Sequence, residues 1–281
     1  HYKSPLSVRC SCGQKIPTTV FNGRNKLWAY CPYCKTILRS EGAKPIVVGI
    51  AGGVSAGKTC LLFHLLYTMK NITHQTVFEF VDEANQKKYE ILEEPFQKKR
   101  RPQKTRSKKP QTFNFFLRTN RLVPDSIVYL YDLAGEAFLS VDDLNHEYYD
   151  YMDKIIFILD PFSIHSVAEK YTFVEEQNKT NITQNNIEDV INRILINFEN
   201  NYHIKTKERI DTDCIVVINK MDANEELKSQ LSEQKIEELR KGHPEIKSRA
   251  QGFNMICKDF LIKNCYDYVI NILETKFRMD F

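Results

Sequence analysis

Residues Ile50 to Thr59 read IAGGVSAGKT, and this stretch decides the fold. The apolar run Ile46-Val47-Val48 precedes it and Leu61-Leu62-Phe63 follows, which puts it where a buried strand turns into a helix. Gly52, Gly57, Lys58 and Thr59 satisfy G-x-x-x-x-G-K-[ST], the phosphate-binding loop. Glycines let successive backbone N–H groups converge on an anion, and a helix N-terminus adds a favourable dipole. The whole turn, Gly52, Gly53, Val54, Ser55, Ala56, Gly57, Lys58, Thr59 and Cys60, is therefore expected to line a nucleotide. Lys58 brings a point charge to the β/γ-phosphates, and the Thr59 hydroxyl is a ligand for Mg²⁺. A glycine-rich turn that matches by accident is the bland alternative; a strand before and a helix after weigh against it.

The 281 residues leave room for one sizeable α/β domain and a small accessory module. An apolar content of 42% is ordinary for a globular chain. No apolar stretch approaches the roughly 18 residues of a bilayer span, and no signal peptide is evident, so a cytoplasmic protein without membrane contact is expected. A first residue of His1 rather than Met is what a fragment or trimmed chain would show. The net charge of +4 is too small to argue for nucleic acid. Its distribution is uneven: in QKKRRPQKTRSKKP, Gln97 to Pro110, eight of fourteen residues are Lys or Arg and none is acidic. Such a run reads as a solvated loop, as a contact for nucleic acid or an acidic partner, or as a source of arginine for phosphates.

Four of the eight cysteines, Cys10, Cys12, Cys31 and Cys34, fall within the first 34 residues. Cys60, Cys214, Cys257 and Cys265 instead sit in apolar patterns and read as small core residues. Two close pairs, one followed by Gly13 and one enclosing Pro32, suit two knuckles presenting four thiolates to one Zn²⁺. The first pair is C-x-C rather than the commoner C-x-x-C. Disulfides are the competing reading, disfavoured in a reducing compartment. Four thiolates leave no open coordination position, so the metal would be structural. Residues 8–39 resemble a zinc ribbon, a module that binds nucleic acid or protein or braces a neighbour. Residues 1–40 are taken as that module and 45–281 as the nucleotide domain.

The apolar runs Ile46–Ala51, Ile127–Tyr131, Ile155–Leu159 and Cys214–Ile218 do not alternate, as befits strands buried on both faces. Helical stretches at Cys60–Lys70, Gln184–Asn200 and Glu225–Lys241 lie between or after them. The expected fold is α/β: a doubly wound, mostly parallel sheet of the P-loop NTPase type, with ligands at the carboxyl ends of its strands. TFNFFLR, Thr112 to Arg118, reads as a further, antiparallel strand beside Ile127–Tyr131.

Two strand ends carry chemistry. Ile127–Tyr131 runs into Asp132-Leu133-Ala134-Gly135-Glu136, where Asp132 suits Mg²⁺ through water and the Gly135 N–H suits a γ-phosphate. Cys214–Ile218 runs into Asn219-Lys220-Met221-Asp222. Asn219 is placed to brace the phosphate loop and Lys220 to lie along a purine. The Asp222 carboxylate accepts the two N–H groups of guanine, whereas adenine would leave it unpaired.

The phosphate loop, D-x-x-G and N-K-x-D, in this order and each at a strand end, resemble the translation-factor-related class of P-loop GTPases over residues 45–281. DLAGE, the Asp160-Pro161 step after IIFIL and the long insert before TFNFF look like the bacterial double-GTPase family. The resemblance implies GTP and Mg²⁺, hydrolysis to GDP and phosphate, and a molecular switch or assembly factor. It also implies a protein partner, a second GTPase or an effector, within a defence or conflict system.

In such GTPases a threonine closes over Mg²⁺ and the γ-phosphate; Thr105 is preferred here because Thr112 falls inside a strand. Glu136 follows the glycine where small GTPases usually carry glutamine. An ionised glutamate only accepts hydrogen bonds and lies near the phosphate charge, so unaided hydrolysis should be slow. Arg100, Arg101 or Arg106, or a partner's arginine, would supply the compensating cation. Alternatively Glu136 is a solvent-facing acid at a helix start. The guanine-carbonyl loop is not found: after an amphipathic stretch, Met255–Lys276, only Phe277 to Phe281 remain, enough to begin a strand. Two other readings stand beside a GTPase. One is a GTP-binding scaffold that scarcely hydrolyses, and the other is a nucleic-acid-binding ribbon regulated by nucleotide.

Overall fold

The computed structural model describes residues 7–9, 12–17, 33–34, 43–71, 76–98, 100, 111–119, 126–132, 152–171, 187–202, 209–230, 232–243, 247–264 and 266–279. Among these, one six-stranded sheet is built from β3 (Lys44–Gly52), β4 (Thr76–Phe80), β5 (Gln111–Thr119), β6 (Ser126–Asp132), β7 (Lys154–Leu159) and β8 (Asp213–Ile218). The strand order is β4-β5-β6-β3-β7-β8. β3, β7 and β8 run parallel, with Ile50 opposite Ile156 and Ile156 opposite Ile215, whereas β4 and β5 are antiparallel. This is the mixed α/β sheet of a P-loop NTPase. A separate hairpin pairs β1 (Ser7–Arg9) with β2 (Lys15–Pro17). The chain divides into two compact units.

The first unit comprises His1–Ile46, Phe63–Arg100 and Thr112–Leu130. Its strand β4, TVFEF, exposes Val77 and pairs Phe78 and Phe80 with Leu117 and Phe115. Period-two alternation of this kind marks a strand with one covered face. Neither this strand nor the helix after it, α2 (Glu83–Gln97), stands out in the sequence pattern. That helix is polar and contains Pro95, which hides it from pattern reading. Tertiary contacts hold it. Asp82 caps its N-terminus by accepting from the Asn85 backbone N–H at 2.9 Å. The buried Asn85 amide donates to Asp82 at 2.7 Å and accepts from the Asn114 N–H of β5 at 3.0 Å. Phe96 stacks on Phe63 with ring centroids 4.0 Å apart, and Tyr89 is buried between Phe63 and Phe80.

The second unit comprises Val47–Leu62, Arg101–Gln111 and Tyr131–Phe281. Ile155, Phe157 and Leu159 of β7 are buried among Val190, Ile191 and Ile194 of the helix Ile187–Tyr202 and Leu227, Val269 and Leu273 of later helices. The stretch expected as one helix over Glu225–Lys241 is two, Glu225–Gln230 and Glu233–Gly242. The second begins at Ser232, whose hydroxyl accepts from the Lys235 N–H and so restarts the helix. Likewise Met255–Lys276 divides into Arg249–Lys263 and Asp267–Lys276. There the Asn264 side chain donates to the Phe260 carbonyl at 2.7 Å and takes up an orphan acceptor at the break. Phe277 packs edge-on against Phe157, and Arg278 makes a parallel bridge to Asp213 at the start of β8.

Candidate functional site

Strand β3 ends buried, with Ile50 and Ala51 fully covered, and the phosphate loop turns from its last residue into α1 (Lys58–Asn71). Two glycines are there for different reasons. At Gly52 a Cβ would lie 2.8 Å from the Ile158 carbonyl of β7, so only glycine lets the loop start this close to its neighbour. Gly57 has φ +95°, and a Cβ there would come within 2.1 Å of the Asn219 amide. Ser55 also stands in left-handed backbone, at φ 67°. A side chain there is strained, and such strain persists where the surroundings over-determine it.

Lys58 is the first residue of α1 and is nearly buried. Its Nζ donates to the Gly52 and Gly53 carbonyls, each at 2.9 Å, which holds the ammonium across the mouth of the loop. Ala56 N–H donates back to Gly53 O at 3.2 Å and closes the turn. Val54 and Cys60 are partly exposed on the loop and the first helical turn.

At the end of β6, Asp132 is 2% exposed. Its Oδ2 accepts from the Thr59 hydroxyl at 3.4 Å, while its Oδ1 is buried with no hydrogen-bond partner among the described residues. Burial pushes its pKa up to about 6, partly offset by the nearby Lys58 charge and the Thr59 hydroxyl. A buried carboxylate oxygen with nothing to bind is costly unless a cation or its water completes it. A hydroxyl and a carboxylate side by side are the oxygen donors that suit Mg²⁺, so these residues fit the ion.

The loop after β8 is fastened in two directions. Asn219 Nδ2 donates to the Ala56 carbonyl at 2.8 Å, and its backbone N–H donates to Leu159 O at 2.9 Å. Lys220 adopts a left-handed conformation, φ 55°, and its Nζ pairs with Asp160 at 2.6 Å. Asp222 follows in a single 3-10 turn, Met221–Ala223, and is exposed. The structure thus brings together Gly52 to Thr59, Asp132 and Asn219. Sequence reasoning took Asp160 only as part of an Asp-Pro step; a lone acid closing an apolar strand was the available signal.

A family model, Double-GTPase 2, matches residues 46–255. The chain belongs to the Double-GTPase 2 family. Its domain is therefore of the GTP-binding, GTPase type. No curated protein matched the chain.

Several residues singled out from the sequence lie outside the described residues: Thr105, Gly135, Glu136, Arg101 and Arg106 of the Double-GTPase 2 domain, and Cys10 and Cys31 before it. Of the four N-terminal cysteines, Cys12 lies in the turn between β1 and β2, beside Gly13 at φ 85°, and Cys34 lies in a second turn. Both are exposed. Among the described residues no cluster of three or more His, Cys, Asp or Glu is poised for a metal, so the four-thiolate zinc set is not shown. No helix of the described residues is long and apolar enough to cross a membrane.

Proposed function

We propose that the chain is a Mg²⁺-dependent GTPase that hydrolyses GTP to GDP and phosphate and uses the cycle as a switch or in assembly. The observation that carries this is the meeting of Thr59 and Asp132 beside Lys58, with one buried carboxylate oxygen left over for a hydrated cation. Bound there, Mg²⁺ would neutralise charge on the β- and γ-phosphates. The loop N–H groups orient the phosphates, and Lys58 places its charge against them. Asn219 holds the loop in shape through Ala56, and the exposed Asp222 is available to the guanine edge.

Thr105 would close over the γ-phosphate, the Gly135 N–H would sense it, and Glu136 would face the attacking water. A glutamate there favours slow turnover until an arginine arrives, which is worth on the order of 10³–10⁵ in rate. The arginine would come from the basic run or from a partner, a second GTPase or an effector in a defence or conflict system. The N-terminal cysteines would form a structural zinc ribbon that docks protein or nucleic acid. The same glutamate favours a second reading, a GTP-loaded scaffold that scarcely hydrolyses.

Single-turnover release of phosphate from GTP, with and without Mg²⁺, decides between them. A Mg²⁺-dependent rate well above that of Lys58→Ala is expected. A rate equal to Lys58→Ala, with GTP still bound by the native chain, would leave the scaffold.

A further inference from the structure

Asp160 closes β7 and is 1% exposed, yet the nucleotide chemistry described above gives it no task. Its two carboxylate oxygens face different partners. Oδ1 accepts from the Phe162 N–H at 3.0 Å and caps the 3-10 turn Pro161–Ser163. Oδ2 accepts from Lys220 Nζ at 2.6 Å, in a pair almost wholly removed from solvent. Lys220 lies between Asn219, which grips the phosphate loop, and Asp222, the residue read as the guanine acceptor.

We infer that Asp160 is a positioning residue for base recognition, acting through Lys220 to hold the Asn219–Asp222 loop in the register that presents Asp222 to guanine. Lys220 has left-handed backbone, which an L side chain adopts at a cost, so something must hold it there. A buried ammonium must also be paired. The Asp160 carboxylate meets both needs with one contact. The Lys220 carbonyl in turn accepts from the Ala223 N–H at 3.1 Å, which ties the turn containing Asp222 to the same residue. Lys220 is thereby held by its charge at one end and by its backbone at the other, and the turn that carries Asp222 is held with it. Without the carboxylate, the ammonium would seek water, the left-handed backbone would relax, and the turn would move with it. The side-chain contacts of Lys58 and Asn219 with the phosphate loop run to the Gly52, Gly53 and Ala56 carbonyls.

This inference rests on Asn219–Asp222 being the base-reading loop, so the experiment tests the two separately. The full chain and its Asp160→Asn and Asp160→Glu variants are titrated with GTP, with inosine triphosphate, which lacks the 2-amino group, and with inorganic tripolyphosphate. A hydrogen bond to a charged group is worth about tenfold or more, so GTP affinity should fall at least about tenfold in Asp160→Asn. The ratio of GTP to inosine triphosphate affinity should fall towards one, while tripolyphosphate affinity stays as in the native chain. Asp160→Glu keeps the charge but displaces it by one methylene. It should lose part of the same ratio, and it decides alone if Asp160→Asn does not fold. An unchanged ratio, or an equal loss for tripolyphosphate, overturns the inference. In parallel, Asp222→Asn is assayed for a switch from GTP to xanthosine triphosphate. No switch overturns the base-loop reading and the inference together, whereas a switch with an unchanged ratio in the Asp160 variants overturns the inference alone.

Discussion

Asp132→Asn is expected to stabilise the nucleotide-free protein at neutral pH while removing its response to Mg²⁺. Burial raises the Asp132 pKa from 3.8 to about 6 in the folded chain. The native state then holds a proton that the unfolded state has released, so stability falls as pH rises between those values. Above pH 6 the full penalty of the buried charge is present. Below the unfolded value of 3.8 it is absent. A shift of about two units corresponds to about 3 kcal/mol. The amide carries no charge, so the stability difference between Asp132→Asn and the native chain should move by about 3 kcal/mol from pH 4 to pH 7. The new buried N–H donor has no evident acceptor and takes back about 1–2 kcal/mol at every pH. The net gain at pH 7 is therefore about 1–2 kcal/mol. Urea unfolding across this pH range, without nucleotide or Mg²⁺, reads the effect. Nucleotide binding with and without Mg²⁺ reads the loss of function. Parallel pH curves for the two proteins would refute the argument that burial disfavours the Asp132 charge. Undiminished Mg²⁺ dependence would refute its place at the cation.

Two further expectations concern the phosphate loop and the N-terminal cysteines. Gly57→Ala places a Cβ against Asn219 in left-handed backbone, costing about 1–2 kcal/mol of strain plus about 1 kcal/mol for the lost Asn219–Ala56 bond. Denaturant titration should show that loss, and Asn219→Ala in the same chain should cost less than the two single losses added, because they share one contact. For the N-terminal module, one Zn²⁺ per chain is expected by metal analysis, and Cys12→Ser or Cys34→Ser should each release it. Full zinc content in both variants would remove these thiolates from the metal site.

Chain-local signals wrote much of the domain into the sequence. Strands of this sheet announce themselves as continuous apolar runs, so β3, β6, β7 and β8 were legible to within a residue or two, but β8 ends the strand order and leaves Ile215 exposed, so its expected burial on both faces does not hold. The turn of the phosphate loop was equally legible, because its glycines, lysine and threonine stand at a short fixed spacing between a strand and a helix. Elements whose stability comes from elsewhere were not legible. The helix Glu83–Gln97 is polar and interrupted by Pro95, and its hold depends on Asn85 reaching Asn114 and on Phe96 meeting Phe63. The breaks at Ser232 and Asn264 rest on single side-chain hydrogen bonds that interrupt otherwise continuous helical patterns.

The ten residues from Ile50 to Thr59 determined by themselves that a phosphate loop joins a strand to a helix, since its spacing of glycines, lysine and threonine is a local requirement. Only the tertiary structure decided why Gly57 must lack a side chain, that Asp132 keeps beside Thr59 an oxygen with no partner among the described residues, and that Lys220 is committed to Asp160. Each of those facts joins residues tens of positions apart or more. A distance between such residues is set by how strands order themselves in a sheet, and no window of sequence contains it.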